Sequence, residues 1–121
     1  MANHNNSKGF KRLINALFFS IAGYRATWAH EEAFRQEIIL FAITTPLALW
    51  LGKTAVETLL LIGSVVLVLL VELLNSAIEA AVDRVGPEIH ELSGRAKDIG
   101  SAAVTTALTW AVITWAAILI F

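Results

Sequence analysis

Between positions 58 and 86 the chain reads TLLLIGSVVLVLLVELLNSAIEAAVDRVG, an apolar run that gains a polar stripe only in its second half. Glu72, Asn75, Glu79 and Asp83 follow at steps of three, four and four residues, which stacks them on one helical face. Two further apolar stretches cover about 33–51, with Pro46 inside, and about 99–121, where only Ser and Thr interrupt. Each of the three approaches or exceeds the roughly 20 residues that cross about 30 Å of hydrocarbon. The pattern therefore predicts membrane helices at about 33–51, 56–85 and 99–121. Proline is tolerated in such a helix where a neighbour or side chain satisfies the freed carbonyl.

Ahead of these spans, Phe10, Leu13, Ile14, Leu17, Phe18, Ile21 and Trp28 recur largely at helical spacing, with Lys8, Lys11, Arg12 and Asn15 between them. That pattern predicts an amphipathic helix over about 7–30, suited to the plane of the membrane interface. No internal repeat, low-complexity tract or long linker is visible. Gly86-Pro87 punctuates the end of the second span, and Leu92-Ser93-Gly94 is expected in the short connection after it. The expected fold class is all-α: a single integral membrane domain over 1–121.

Composition agrees. Of the 121 residues 57% are hydrophobic and the mean hydropathy is +0.69, against about 45–50% apolar residues in ordinary soluble domains. A chain this short cannot hide that surplus in a soluble core. The net charge of -1 gives no general pull toward nucleic acid, and the absence of cysteine excludes disulfides, thiolate metal sites and thiol nucleophiles. The segment MANHNNSKGFKRLINALFF lacks a compact apolar region followed by a cleavage site, so no removable signal peptide is expected. Lys8, Lys11, Arg12, Arg25 and Arg35 precede the first span, Arg84, Arg95 and Lys97 lie between the second and third, and only Lys53 falls on the other side. This asymmetry predicts a cytoplasmic N-terminus and an external C-terminus. Every carboxylate except Glu57 then lies at or near the cytoplasmic face.

Depth sharpens the picture. A helix entering near Val56 at about 1.5 Å per residue completes the hydrocarbon close to Ser76. Glu72 then sits roughly 6 Å beneath the boundary and Glu79 a similar distance above it, about 10 Å from Glu72. An ionisable group at the depth of Glu72 costs at least a few kcal/mol and is a functional site by default. The split places one carboxylate at the level of a lipid's glycerol and the other in the phosphate zone, as chemistry joining a lipid hydroxyl to a water-soluble reagent requires. Glu31, Glu32 and Glu37, and then Glu88, Glu91 and Asp98, form two more acidic groups. Oxygen ligands at an interface suit Mg²⁺, which uses one or two carboxylates plus substrate phosphates. Lys97 beside Asp98, with Arg12 and Arg95 on the same side of the membrane, supplies cations for a polyphosphate. Phosphoryl transfer uses this combination of metal, cation and base, although acidic and basic residues also crowd many interfaces as anchoring collars. No Walker A or GxGxxG sequence occurs. His4, His30 and His90 are too dispersed for a zinc site, and only His90 falls near a candidate ligand. The four Trp residues read as interface anchors and lipid-packing groups.

The segments AFRQE at 33–37, VELLNSAIEAAVDR at 71–84 and ELSGRAKDIGSAAV at 91–104 together resemble the prokaryotic diacylglycerol kinase family, over nearly the whole chain. The E-x-x-N-S-x-x-E pattern followed by S-G-R-A-K-D is the most specific part. The resemblance implies a homotrimeric enzyme of the bacterial inner membrane that uses MgATP to convert diacylglycerol to phosphatidic acid. By matching position, it implies that Glu72 is the catalytic base and that Glu31 and Glu79 are metal ligands supported by Asn75. It implies Lys97 as the phosphate-binding cation, with Asp98, Glu88, His90, Arg12 and Phe19 around the nucleotide. Arg25, Trp28, Phe34, Arg35, Gln36, Glu37 and Ser101 are implied in the lipid site.

Two other readings compete. A kinase of the same family acting on undecaprenol would use identical chemistry. A small proton-coupled transporter could use one intramembrane Glu, but it would place polar groups near the midplane, often with repeated halves. Here the charges crowd one interface.

Overall fold

The computed structural model describes residues 8–86 and 90–121, all helical apart from short connections. Four helices follow in order: α1 (Gly9–His30), α2 (Glu32–Leu51), α3 (Ala55–Arg84) and α4 (Glu91–Ile120). The last three are long and apolar enough to cross a membrane. The fold is therefore that of an all-α integral membrane chain, and it divides into two compact units, Met1–Glu32 and Ala33–Phe121.

In the first unit, α1 opens at Gly9 with φ +62 and closes where the Glu31 N–H donates to the Thr27 carbonyl at 2.9 Å. None of its residues is buried. Phe10, Leu13, Leu17, Phe18 and Ile21 are all exposed, as the interfacial helix predicted from the pattern requires.

In the second unit, α2 keeps Pro46 within the helix. The Thr44 and Thr45 hydroxyls donate to the Leu40 and Phe41 carbonyls at 2.8 and 2.7 Å, in the turn leading into the proline. The turn into α3 is built by a variant capping box. Thr54 accepts the Glu57 N–H at 3.1 Å, and the Glu57 carboxylate accepts the Lys53 N–H at 3.2 Å. Gly52 is required here, because a Cβ would meet the Thr58 side chain and the Ala48 carbonyl.

Helices α3 and α4 pack antiparallel along their length. Buried Leu61, Ser64, Val65, Val68 and Glu72 line one face of α3, and Gly100, Ala107, Ala111 and Thr114 line the facing side of α4. Small residues on α4 let the backbones approach, which is how helices associate where lipid removes the hydrophobic drive between them. Val68, Ala107 and Ala111 form the buried core, with Val71 against it. Near the α2–α3 turn the Trp115 indole donates to the Leu61 carbonyl at 3.2 Å, and the Ser64 hydroxyl donates to the same oxygen at 2.8 Å. Trp115 thus joins helix to helix, whereas Trp50 and Trp110 are exposed.

Each of these two helices has 30 residues. At about 45 Å they exceed about 30 Å of hydrocarbon, so about ten residues of each stand outside it. Helix α4 begins at Glu91, before the expected position 99, and Leu92-Ser93-Gly94 is helix rather than connection. The reason is local. The His90 Nδ1 accepts the Leu92 N–H at 3.0 Å as an N-cap, and Glu91 pairs with Arg95 at 3.4 Å one turn on. A cap and an i,i+4 pair carry the helix through a Ser-Gly step. At the other terminus α3 ends at Arg84, with Gly86 at φ +137 just beyond.

Candidate functional site at the polar end of α3 and α4

The extension of both helices beyond the apolar core leaves a polar end, and the stripe on α3 runs into it. Glu72 is 4% exposed, on the face of α3 that carries the core residues. One turn later the Asn75 amide donates to Glu72 Oε2 at 3.4 Å and to Glu79 Oε1 at 3.2 Å. The spacing of three back and four forward puts both carboxylates within reach of one NH₂ group, whose two protons serve one carboxylate each. Asn75 is thus the bridge between a deep carboxylate and a shallow one. Its own Oδ1 is buried and has no hydrogen-bond partner among the described residues.

From the facing helix, Lys97 Nζ meets Asp83 Oδ1 at 2.7 Å and is close enough to Glu79 to feel its charge. Its ion-pair partner is therefore Asp83, a residue of the α3 stripe, while its sequence neighbour Asp98 is exposed. Asp83, placed on the stripe by its step of four from Glu79 but given no role from the sequence, thus joins the site through Lys97. Gly100, also on α4, lies against the Asn75 side chain, and a Cβ there would strike Asn75 Oδ1. Nothing in the sequence marks that contact.

The fourth carboxylate near the stripe comes from α2. Glu37 is 8% exposed, its Oε2 has no hydrogen-bond partner among the described residues, and its charge interacts with that of Glu72. Phe34, one turn earlier, is buried, Arg35 is half-buried and Gln36 is exposed. Ser101 is exposed, and its carbonyl accepts the Thr105 hydroxyl at 3.1 Å. His90 is engaged through Nδ1 as the cap of α4. Glu88 lies outside the described residues. In the first unit, Arg12, Arg25 and Trp28 are exposed on α1, Phe19 is half-buried, and Glu31 caps the helix. The structure thus brings Glu72, Asn75, Glu79 and Lys97 together, with Glu37 near enough for its charge to interact with that of Glu72.

Among the described residues no three His, Cys, Asp or Glu side chains converge as a ready metal cage. Mg²⁺ does not need one, since it binds through one or two carboxylates and substrate phosphates. The Glu79 carboxylate, held by the Asn75 amide at 3.2 Å, is a hard oxygen donor on the polar side of Glu72 and fits that requirement.

Three bilayer-length helices with a buried carboxylate, bridged by an amide to a second carboxylate near an interfacial lysine, define a small membrane protein with its polar site at one end. The chain belongs to the prokaryotic diacylglycerol kinase family, which it matches over residues 18–119. It is 56% identical over 115 residues to the diacylglycerol kinase of Escherichia coli strain K12, covering 95% of this chain and 94% of that protein. The diacylglycerol kinase of Haemophilus influenzae is 50% identical, over 93% of this chain and 96% of its own. That of Pseudomonas aeruginosa is also 50% identical, over 93% and 91%.

Proposed function

We propose that this chain is an ATP-dependent lipid kinase that phosphorylates diacylglycerol to phosphatidic acid at the cytoplasmic face of the bacterial inner membrane. The observation that carries the reading is the amide bridge at Asn75, which ties a carboxylate buried among apolar side chains to one beside Lys97. A lipid hydroxyl and a polyphosphate partition to just those two depths. Family membership and the names of the relatives support the same substrate.

The roles are those that the family resemblance implies by position, and the chemistry is consistent with them. The Glu72 carboxylate accepts the proton of the lipid hydroxyl as that oxygen bonds to the γ-phosphorus of ATP. The bond from the γ-phosphorus to the bridging oxygen breaks, and ADP leaves. A base held out of water beneath the interface is suited to an alcohol. Lys97 offsets charge on the transferring phosphoryl group, and Arg12, Phe19, Glu88, His90 and Asp98 line the nucleotide. Glu31 and Glu79 would hold Mg²⁺ with Asn75 in support, and the ion when bound supplies positive charge to the phosphate oxygens. Arg25, Trp28, Phe34, Arg35, Gln36, Glu37 and Ser101 meet the lipid. The basic residues put the N-terminus in the cytoplasm and the C-terminus outside.

The whole chain acts as one membrane domain; one set of three spans has few ways to shield a polar stripe from lipid, so association is expected, and the resemblance to the family implies a homotrimer. Co-assembly of Glu72→Gln chains with Lys97→Met chains should then restore part of the activity, through mixed sites that draw each intact residue from a different subunit. Verified subunit exchange with no recovery, for this or any other cross-helix pair, would show that each chain completes its own site.

The direct test is incubation of the purified protein in mixed micelles with labelled ATP, Mg²⁺ and one lipid at a time. Label is expected in phosphatidic acid when diacylglycerol is offered. Label passing to undecaprenol and not to diacylglycerol would overturn the substrate assignment.

A further inference from the structure

We infer that Gly100 is a positioning residue for this reaction: its missing side chain is what lets the Asn75 amide hold Glu72 and Glu79 in a fixed relation. The inference rests on the catalytic reading above and goes one step behind it. Gly100 is buried on the face of α4 turned to α3. An ideal Cβ there would strike Asn75 Oδ1 and lie 3.2 Å from Asn75 Cγ and 3.9 Å from its Cβ. The whole Asn75 side chain therefore lies over the glycine. Asn75 is also the residue whose two amide protons reach carboxylates on either side along α3. Turning that amide to escape a methyl group breaks both bonds together, since both leave from the same nitrogen. The two carboxylates then lose their common tether, although neither touches Gly100.

Other glycines supply the contrast. At Gly94, on the same helix, and at Gly63, on α3, a Cβ would meet no atom within 4 Å. Glycine inside a helix is disfavoured relative to alanine, so alanine should be tolerated or stabilising wherever space is open. Gly100 carries the disfavoured residue where space is filled by one identified side chain. Close helix approach alone does not explain this, since the neighbouring contacts at Ala107 and Ala111 accommodate a methyl group.

The test is a cycle of Gly100→Ala, Asn75→Ala and the double variant, with Gly94→Ala as reference, in detergent micelles. Thermal unfolding reads the contact, and kcat and lipid KM read its consequence. Gly100→Ala should lower the unfolding temperature and lower kcat by about 100-fold, the scale of a misplaced reacting group, with lipid KM unchanged. In the Asn75→Ala background the thermal effect should change sign, because the collision is gone and only the helix preference remains, and kcat should fall no further. Should Gly100→Ala alone fail to fold, recovery of folding in the double variant is the expected result.

A Gly100→Ala protein as stable and as active as its parent would overturn the inference. So would a loss that persists unchanged in the Asn75→Ala background, because the methyl would then be meeting something else. The two readings fail separately. An active Glu72→Gln variant would remove the catalytic assignment and leave the thermal sign reversal in place, whereas a silent Gly100→Ala would leave Glu72 untouched.

Discussion

Near Leu61, α3 and α4 are joined by an indole–carbonyl hydrogen bond among aliphatic and small side chains. Near Asn75, the same two helices meet over two carboxylates, an amide and a lysine–aspartate pair. Each of these two regions also has a carboxylate of α3, and the two are used differently. Glu57 returns a hydrogen bond to the chain that enters the helix, so its charge helps to start α3. Glu72 is buried mid-helix, where every backbone group is already engaged by helix geometry, and accepts one long bond from Asn75. Burying a charge is weak evidence for stability and costly at this depth in a membrane. The first region is explained by folding alone, and the cost of burying Glu72 in the second is what the proposed reaction accounts for.

After loss of the Glu72 charge, removing either of the carboxylates proposed to hold Mg²⁺ should have the largest effect. Glu79→Gln and Glu31→Gln should each lower kcat by about 100-fold and raise the Mg²⁺ concentration for half-maximal rate, because on the proposed assignment each deletes a hard oxygen ligand. A Mg²⁺ titration of each variant checks this, and rate losses indifferent to Mg²⁺ in both would assign these residues another role.

Lys97→Met comes next. Loss of its cation should reduce kcat by roughly 10- to 100-fold while lipid KM stays constant, since the charge is proposed to act on phosphate in the transition state. Unchanged activity would take Lys97 out of the site. Asp83→Asn sharpens the point, because it frees Lys97 without removing its charge. Steady-state kinetics should show a loss much smaller than that of Lys97→Met.

At the first end the smallest effects on chemistry are expected. Thr54→Ala removes the cap of α3 and should cost about 1 kcal/mol of stability. Trp115→Phe removes the bond to the Leu61 carbonyl, worth about 0.6–2 kcal/mol within a membrane. Thermal unfolding should register both, and kcat should register neither. A large kcat loss in either variant would dissolve the contrast between the ends.

The same contrast explains what could be read from the sequence. Periodicity reports which face of one helix a residue occupies, so the stripe Glu72, Asn75, Glu79 and the apolar face of α1 were legible. So were the two ends of α2, within a residue. Periodicity does not report which residue of another helix stands opposite. The pairing of Lys97 with Asp83, the burial of Glu37 beside Glu72 and the seat of Asn75 on Gly100 depend on how the helices register and pack, so they became visible only in the fold. The start of α4 was missed for a different reason. Leu92-Ser93-Gly94 has the composition of a turn, and what overrides it is a histidine cap and one Glu91–Arg95 pair, interactions that composition does not weigh.

The central claim is that Glu72 serves chemistry and not the fold, and Glu72→Gln tests it most directly because the change removes charge while keeping shape. Purified in micelles, the variant should retain its helical content and unfold at the same or a higher temperature, since a buried charge has been relieved. Phosphoryl transfer from labelled ATP to diacylglycerol should fall on the order of 1,000-fold, within the range contributed by a positioned base. A folded Glu72→Gln protein that transfers label at near the parent rate would contradict the account.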